Sequence, residues 1–250
     1  PFTPSDDATA NQEIKDRIAS SIYKQGEQAR DGGDLESAVT HFRRLGQAVP
    51  DSDIRSTAEY DAAAALINLQ AWDRASSVLE DFRRDYPESE LAEDVTQKLA
   101  VTYLELGRGA EAAGEVVRIA HASGSSEDVR REALWKASDL YKESAAVTRE
   151  KQVLQDIIAR YPDPISESIE ARFRLLQIAE ANNSGNERGQ ILRDLVYVDA
   201  TAGAQRTDRT KFLAATASLE LAEPVRRSFM VMKITQPLAE SMKLKKSLME

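Results

Sequence analysis

Cysteine is absent from the 250 residues, which excludes disulfides and thiolate metal sites while saying nothing about compartment. Glycine (11) and proline (8) are few, and β-branched alternation is rare, which argues against a sheet. No apolar run approaches the roughly 18 residues a membrane-spanning helix needs. Positive charge is in deficit, 33 Lys and Arg against 42 Asp and Glu, for a net charge of −9. Such a balance disfavours non-specific binding to nucleic acid or to an anionic membrane. Catalytic signatures are missing too: there is no P-loop, no HExxH and no cysteine nucleophile. Gly107-Arg108-Gly109 follows no strand, so it does not read as a dinucleotide fingerprint. His41 and His121 stand alone in separate parts of the chain and suggest no metal pair. No cofactor is expected. The chain opens PFTPSDD without an initiating Met and closes KLKKSLME inside a helical pattern. It therefore reads as a piece of a longer protein.

What is present is repetition. Within Asp53–Pro87, Ala58, Ala62, Ala65, Leu66 and Leu69 share one helical face, and Ala75, Val78, Leu79, Phe82 and Tyr86 share another. Trp72-Asp73 closes the turn, with Asp73 expected to cap the second helix, and Pro87 ends the pair. A hairpin this short must stack on neighbours to bury its apolar face. The step is 37 residues from Ala38 to Ala75, Pro50 to Pro87, Leu79 to Val116 and Phe82 to Ile119. Further pairs are expected near 11–48, with Asp34 as a cap, near 91–123 and near 127–162, followed by a more divergent one marked by Leu175, Leu176, Ala179, Leu192 and Leu195. From Ala100 to Ala137 the step is 37, but from Tyr103 to Tyr141 it is 38. On the longer step the place of the small residue falls to Glu150.

The expected fold is all-α, a solenoid of about five antiparallel helix pairs. Residues 1–10 are expected to be frayed, 11–200 to form the repeat array, and 201–250 to form divergent helices leading into a further module. Thr207 is the expected cap of a helix running through Leu221, and Pro237 starts the last helix. Residues 226–250 hold six Lys or Arg against two Glu, or +4, leaving −13 on the rest, and all four Met residues lie in the last 21 positions. This basic, Met-rich tail suits an anionic surface, an apolar partner, or packing on an adjoining module.

Gly26, Ala38, Phe42 and Pro50, and again Leu99, Ala100, Tyr103 and Ala112, resemble the signature places of tetratricopeptide repeats. Phe82–Ser89 (FRRDYPES) and Ile157–Pro164 (IIARYPDP) resemble repeats of bacterial envelope tetratricopeptide proteins, among them the Tol-associated cell-division coordinator and the lipoprotein of the outer-membrane assembly machine. The resemblance covers roughly residues 12–200. It implies a right-handed superhelix whose first helices line a concave groove for a protein or peptide, with no catalysis. It favours the periplasm or cell envelope, with the cytoplasm still compatible. The groove places of the carboxylate-clamping subclass hold Tyr23, Glu27, Tyr60 and Ala64 instead of Lys and Asn, which disfavours that subclass.

Register puts Tyr23, Tyr60, Gln97, Trp135 and Phe173 at the groove-facing place of successive first helices. Four of the five are aromatic in a chain only 6% aromatic, which suggests a ladder of π faces for an apolar or extended peptide. Asp94, Glu132, Asp139 and Glu143 flank it and would favour a basic ligand. The competing readings are that the aromatics pack on the preceding pair and the acids form a solvated face. The functional expectation is a non-enzymatic protein-interaction scaffold; the alternatives are a structural spacer, or a regulatory domain of a larger protein with an enzymatic module elsewhere. Burial of all four aromatics would favour the spacer. Partner identity and oligomeric state stay open.

Overall fold

The computed structural model describes residues 4–122, 124 and 126–249. Among them there is no strand. The chain divides into two compact units, Pro1–Ala146 and Val147–Glu250. The first holds α1 (Pro4–Asp31), α2 (Leu35–Ala48), α3 (Arg55–Asn68), α4 (Trp72–Asp85), α5 (Ala92–Glu105), α6 (Gly109–His121) and α7 (Glu127–Glu143). The second holds α8 (Val147–Arg160), α9 (Ile165–Ala181), α10 (Gly185–Thr201), a 3-10 turn (Gly203–Gln205), α11 (Asp208–Val231) and α12 (Leu238–Ser247).

In the first unit each helix packs on the next in sequence, and the stripe of small residues is the reason they approach closely. Ala38, Ala75 and Ala112, each 37 residues after the last, are fully buried in α2, α4 and α6. Phe42, Leu45, Ala58 and Ala62 form one apolar cluster. Leu66, Leu79, Phe82 and Leu99 centre the next. Each such large side chain taken from water contributes about 1.5–3 kcal/mol.

One turn recurs along the chain and sets the period. A residue in the left-handed region stands at Gly33 (φ 82°), Gln70 (55°), Gly107 (70°), Ala145 (53°) and Asn183 (53°). The next residue's N–H reaches back five positions to a carbonyl: Asp34 to Ala29, Ala71 to Leu66, Arg108 to Tyr103, Ala146 to Tyr141 and Ser184 to Ala179, at 2.8–2.9 Å. This closure satisfies a carbonyl in the last turn of one helix and aims the chain into the following one. The steps are 37, 37, 38 and 38. The longer step is thus the true one after Gly107, and Glu150, at the small-residue place, is buried.

The structure departs from the sequence expectations at several points. Residues 4–10, expected to be frayed, lie within α1; residues 1–3 and 250 fall outside the described residues. The division between the compact units falls after Ala146, within the stretch expected as one pair over 127–162; the boundary expected at 200 concerns the change from repeats to divergent helices. Asp34 caps α2, accepting from the Ser37 N–H at 3.1 Å, but Asp73 caps nothing. The turn closure delivers the chain into α4 at Trp72, so Ala71 is the cap and Asp73 falls in the first turn, where its charge still suits the helix dipole. Thr207 caps α11 with a reciprocal bond to Thr210. That helix runs on to Val231, through Pro224. The proline removes one N–H from the ladder, and in an exposed stretch water can satisfy the carbonyl it leaves.

Candidate functional site

On the first-helix face of the first unit, hydrogen bonds tie α1 to α3 and α3 to α5. The Tyr23 hydroxyl on α1 donates to Asp61 on α3 at 2.5 Å. One repeat later the Tyr60 hydroxyl on α3 donates to Asp94 on α5. Each ring also leans on the second helix of its own pair: Tyr23 meets Phe42 with centroids 5.4 Å apart, and Tyr60 meets Phe82 edge-on at 6.4 Å. Lys98 closes the second rung, its ammonium 5.3 Å from the Tyr60 ring centroid and 3.5 Å from Asp94. Burial, and then the hydrogen bond to its carboxylate, pushes each of these two phenols far above the ordinary tyrosine range. Both therefore stay neutral donors at any physiological pH.

All four predicted aromatics, Tyr23, Tyr60, Trp135 and Phe173, are half-buried, so neither full burial nor an open ladder describes them. Gln97 and Glu132 are exposed on α5 and α7, and Asp94 and Asp139 are half-buried. The structure brings Tyr60 and Asp94 together directly. Phe173 lies in the second unit, on α9, where the Arg209 guanidinium of α11 stands 5.1 Å from its ring and reaches Glu170 at 3.3 Å. Sequence reasoning missed Asp61, Lys98 and Arg209 as partners of these rings. All three pairings depend on tertiary geometry, Asp61 included, since its partner is Tyr23 on another helix and not the adjacent Tyr60.

The second helices are tied by ions. Arg74 on α4 forks onto both carboxylate oxygens of Glu36 on α2 at 2.8 and 2.9 Å. Arg83 on α4 holds both oxygens of the buried Glu115 on α6 at 2.7 Å. On the flank, the Tyr103 hydroxyl donates to Glu80 at 2.7 Å beneath the Arg108 guanidinium, and burial with that carboxylate pushes the phenol up to about 12. These contacts hold geometry; none pairs a nucleophile with a base. Among the described residues no helix is long and apolar enough to cross a membrane.

The family described as YfiO, outer membrane lipoprotein, matches residues 15–181. No curated protein matches the chain. Among solved structures, a tetratricopeptide repeat protein from Parabacteroides merdae is 14% identical, with 92% of this chain and 99% of that one covered and a TM-score of 0.43. The tetratricopeptide domain of P58(IPK) is also 14% identical, with 100% and 70% covered and a TM-score of 0.42.

Proposed function

Because the chain belongs to the YfiO family of outer membrane lipoproteins over residues 15–181, we propose that it is a protein-interaction scaffold of the bacterial cell envelope, whose first unit offers its first-helix face to a peptide or protein segment. Tyr23, Tyr60, Gln97 and Trp135 mark that face, with Asp94, Glu132 and Asp139 selecting for basic side chains. Phe173 holds the equivalent place in the second unit. The observation that carries the reading is the repeated tie, Tyr23 to Asp61 and Tyr60 to Asp94. It fixes half-exposed rings in place before any ligand arrives, so binding loses little side-chain freedom. No step of the proposed action makes or breaks a covalent bond.

The spacer reading draws on the same ties, since the two hydroxyls are already engaged within the chain. A pull-down from envelope extract separates the two, using wild type, Tyr60→Ala, Trp135→Ala and Gln97→Arg. Gln97 is exposed, so its replacement leaves packing intact and reports on the face alone. Recovery of a common partner should fall in all three variants. Equal recovery by Gln97→Arg and Trp135→Ala would remove the groove and leave the spacer.

A further inference from the structure

Residues 225–249 carry two features found together nowhere else among the described residues. Eight of the seventeen exposed large hydrophobic side chains among the described residues fall in this tenth of the sequence, from Val225 to Met249. The same stretch is the one strongly basic part of an acidic protein. The structure brings the two together: Phe229, Ile234, Met242 and Met249 line one groove between the end of α11 and α12, and Lys243 and Lys246 line it with them. Of the stretch's cations, Arg226 and Arg227 are engaged by Glu223 at 2.6 and 2.9 Å. Lys245 is turned inward, to the Met232 carbonyl at 3.2 Å and over the Phe229 ring. Lys233, Lys243 and Lys246 make no ion pair among the described residues. α12 has no buried residue, so it is an outer element and not part of the core.

We propose that residues 226–249 are an interfacial lipid-binding element, with α12 lying on the surface of a bilayer that contains anionic phospholipid. In this arrangement the methionines, Ile234 and Leu238 enter the boundary between headgroups and acyl chains while the unpaired lysines stay at headgroup level. Charge complementarity favours this occupant. Two unpaired lysines lining an apolar groove, with Lys233 next to Ile234 in sequence, match a surface that is anionic above and hydrocarbon below, in no fixed register, and methionine adapts to such irregular contact. The −13 on the rest of the chain does not oppose it. Screening limits the reach of each of those charges to about 8–10 Å at physiological salt.

Co-sedimentation of the full chain with vesicles tests this, using phosphatidylcholine alone and phosphatidylcholine mixed with phosphatidylglycerol in equal parts. The chain should sediment with the anionic vesicles, release in high salt, and ignore the neutral ones. The double variant Lys243→Glu/Lys246→Glu should bind at least about tenfold more weakly, since each cation near an anionic surface contributes on the order of fivefold. Met242→Asp should weaken binding as well, and neither variant should change helicity or melting. Failure to bind anionic vesicles at low salt, or unchanged binding by the double variant, overturns the proposal. Binding that ignores Met242→Asp overturns the insertion it claims. If the chain ignores both vesicles but its tail binds an acidic amphipathic helical peptide, a protein partner replaces the lipid.

Discussion

Gly26 of α1 lies against the ring of Phe42 of α2 so closely that a Cβ built on the glycine would stand 2.5 Å from the ring's Cε1. The ring has little room to move: Phe42 is fully buried, and the Tyr23 ring also leans on it. Gly26→Ala is therefore expected to cost about 1–3 kcal/mol by forcing the ring off its rotamer. Ala38→Leu, at a fully buried contact on α2, should cost a similar amount. Urea unfolding measures both, and unchanged midpoints would mean that the first pair is not packed as described.

The recurring turn makes a prediction of opposite sign. Gln70 and Ala145 hold the left-handed conformation that glycine holds at 33 and 107. A side chain there costs about 1–2 kcal/mol of steric strain, against about 0.5–1 kcal/mol of backbone freedom that glycine loses on folding. Gln70→Gly and Ala145→Gly should each stabilise by a few tenths to about 1 kcal/mol, and Gly107→Ala should destabilise by about the same. Thermal melts of the three variants give the comparison.

The same turns show what was legible in the sequence. Gly33 and Gly107 announce a reversal and the buried alanines announce close approach, so helix pairs and their period could be read directly. Gln70 and Ala145 announce nothing, because the left-handed turn there is imposed by the closure around it. The step after Gly107 stayed ambiguous for that reason, and Glu150 could not be recognised as a buried occupant of an alanine's place. At the candidate face, periodicity found Tyr23, Tyr60 and Asp94, since those lie on the repeat. It could not find the Tyr23–Asp61 tie, whose 38-residue span differs from the 34 of Tyr60–Asp94. The helix expected to run through Leu221 continues past it to Val231 and takes in Pro224, an exposed position where water can meet the carbonyl left by the missing N–H.

Asp199 on α10 is almost wholly buried and receives Arg206 Nη2 at 2.6 Å. Burial alone would push its carboxyl up, but the hydrogen bonds from Arg206 and Thr210 outweigh it and hold the group below the ordinary aspartate value. With the folded value depressed, the contribution to stability is full above the unfolded value, near 3.9, and is lost as pH falls through the folded one. Asp199→Asn should cost about 1–3 kcal/mol at neutral pH. It should also flatten the fall in stability below about pH 4. Urea midpoints across that range test both; parallel acid limbs for wild type and variant would exclude Asp199 as a source of the slope.

Arg83 and Glu115 offer a test of how the second helices are held. Glu115 is 6% exposed at its side chain and Arg83 30%, and both carboxylate oxygens accept from one guanidinium nitrogen at 2.7 Å. Arg118 stands 3.7 Å away as a weaker second cation. Removing a partner from a fully buried pair costs about 3–5 kcal/mol, chiefly because the remaining charge is stranded. Solvent at Arg83 and the nearby Arg118 should reduce that to about 1–3 kcal/mol for Arg83→Met. Replacing both groups removes the stranded charge, so Arg83→Met/Glu115→Met should be more stable than Arg83→Met alone. A double-mutant cycle reads the difference as coupling. Additive effects would mean that the pair is a consequence of helix packing and contributes no hold of its own.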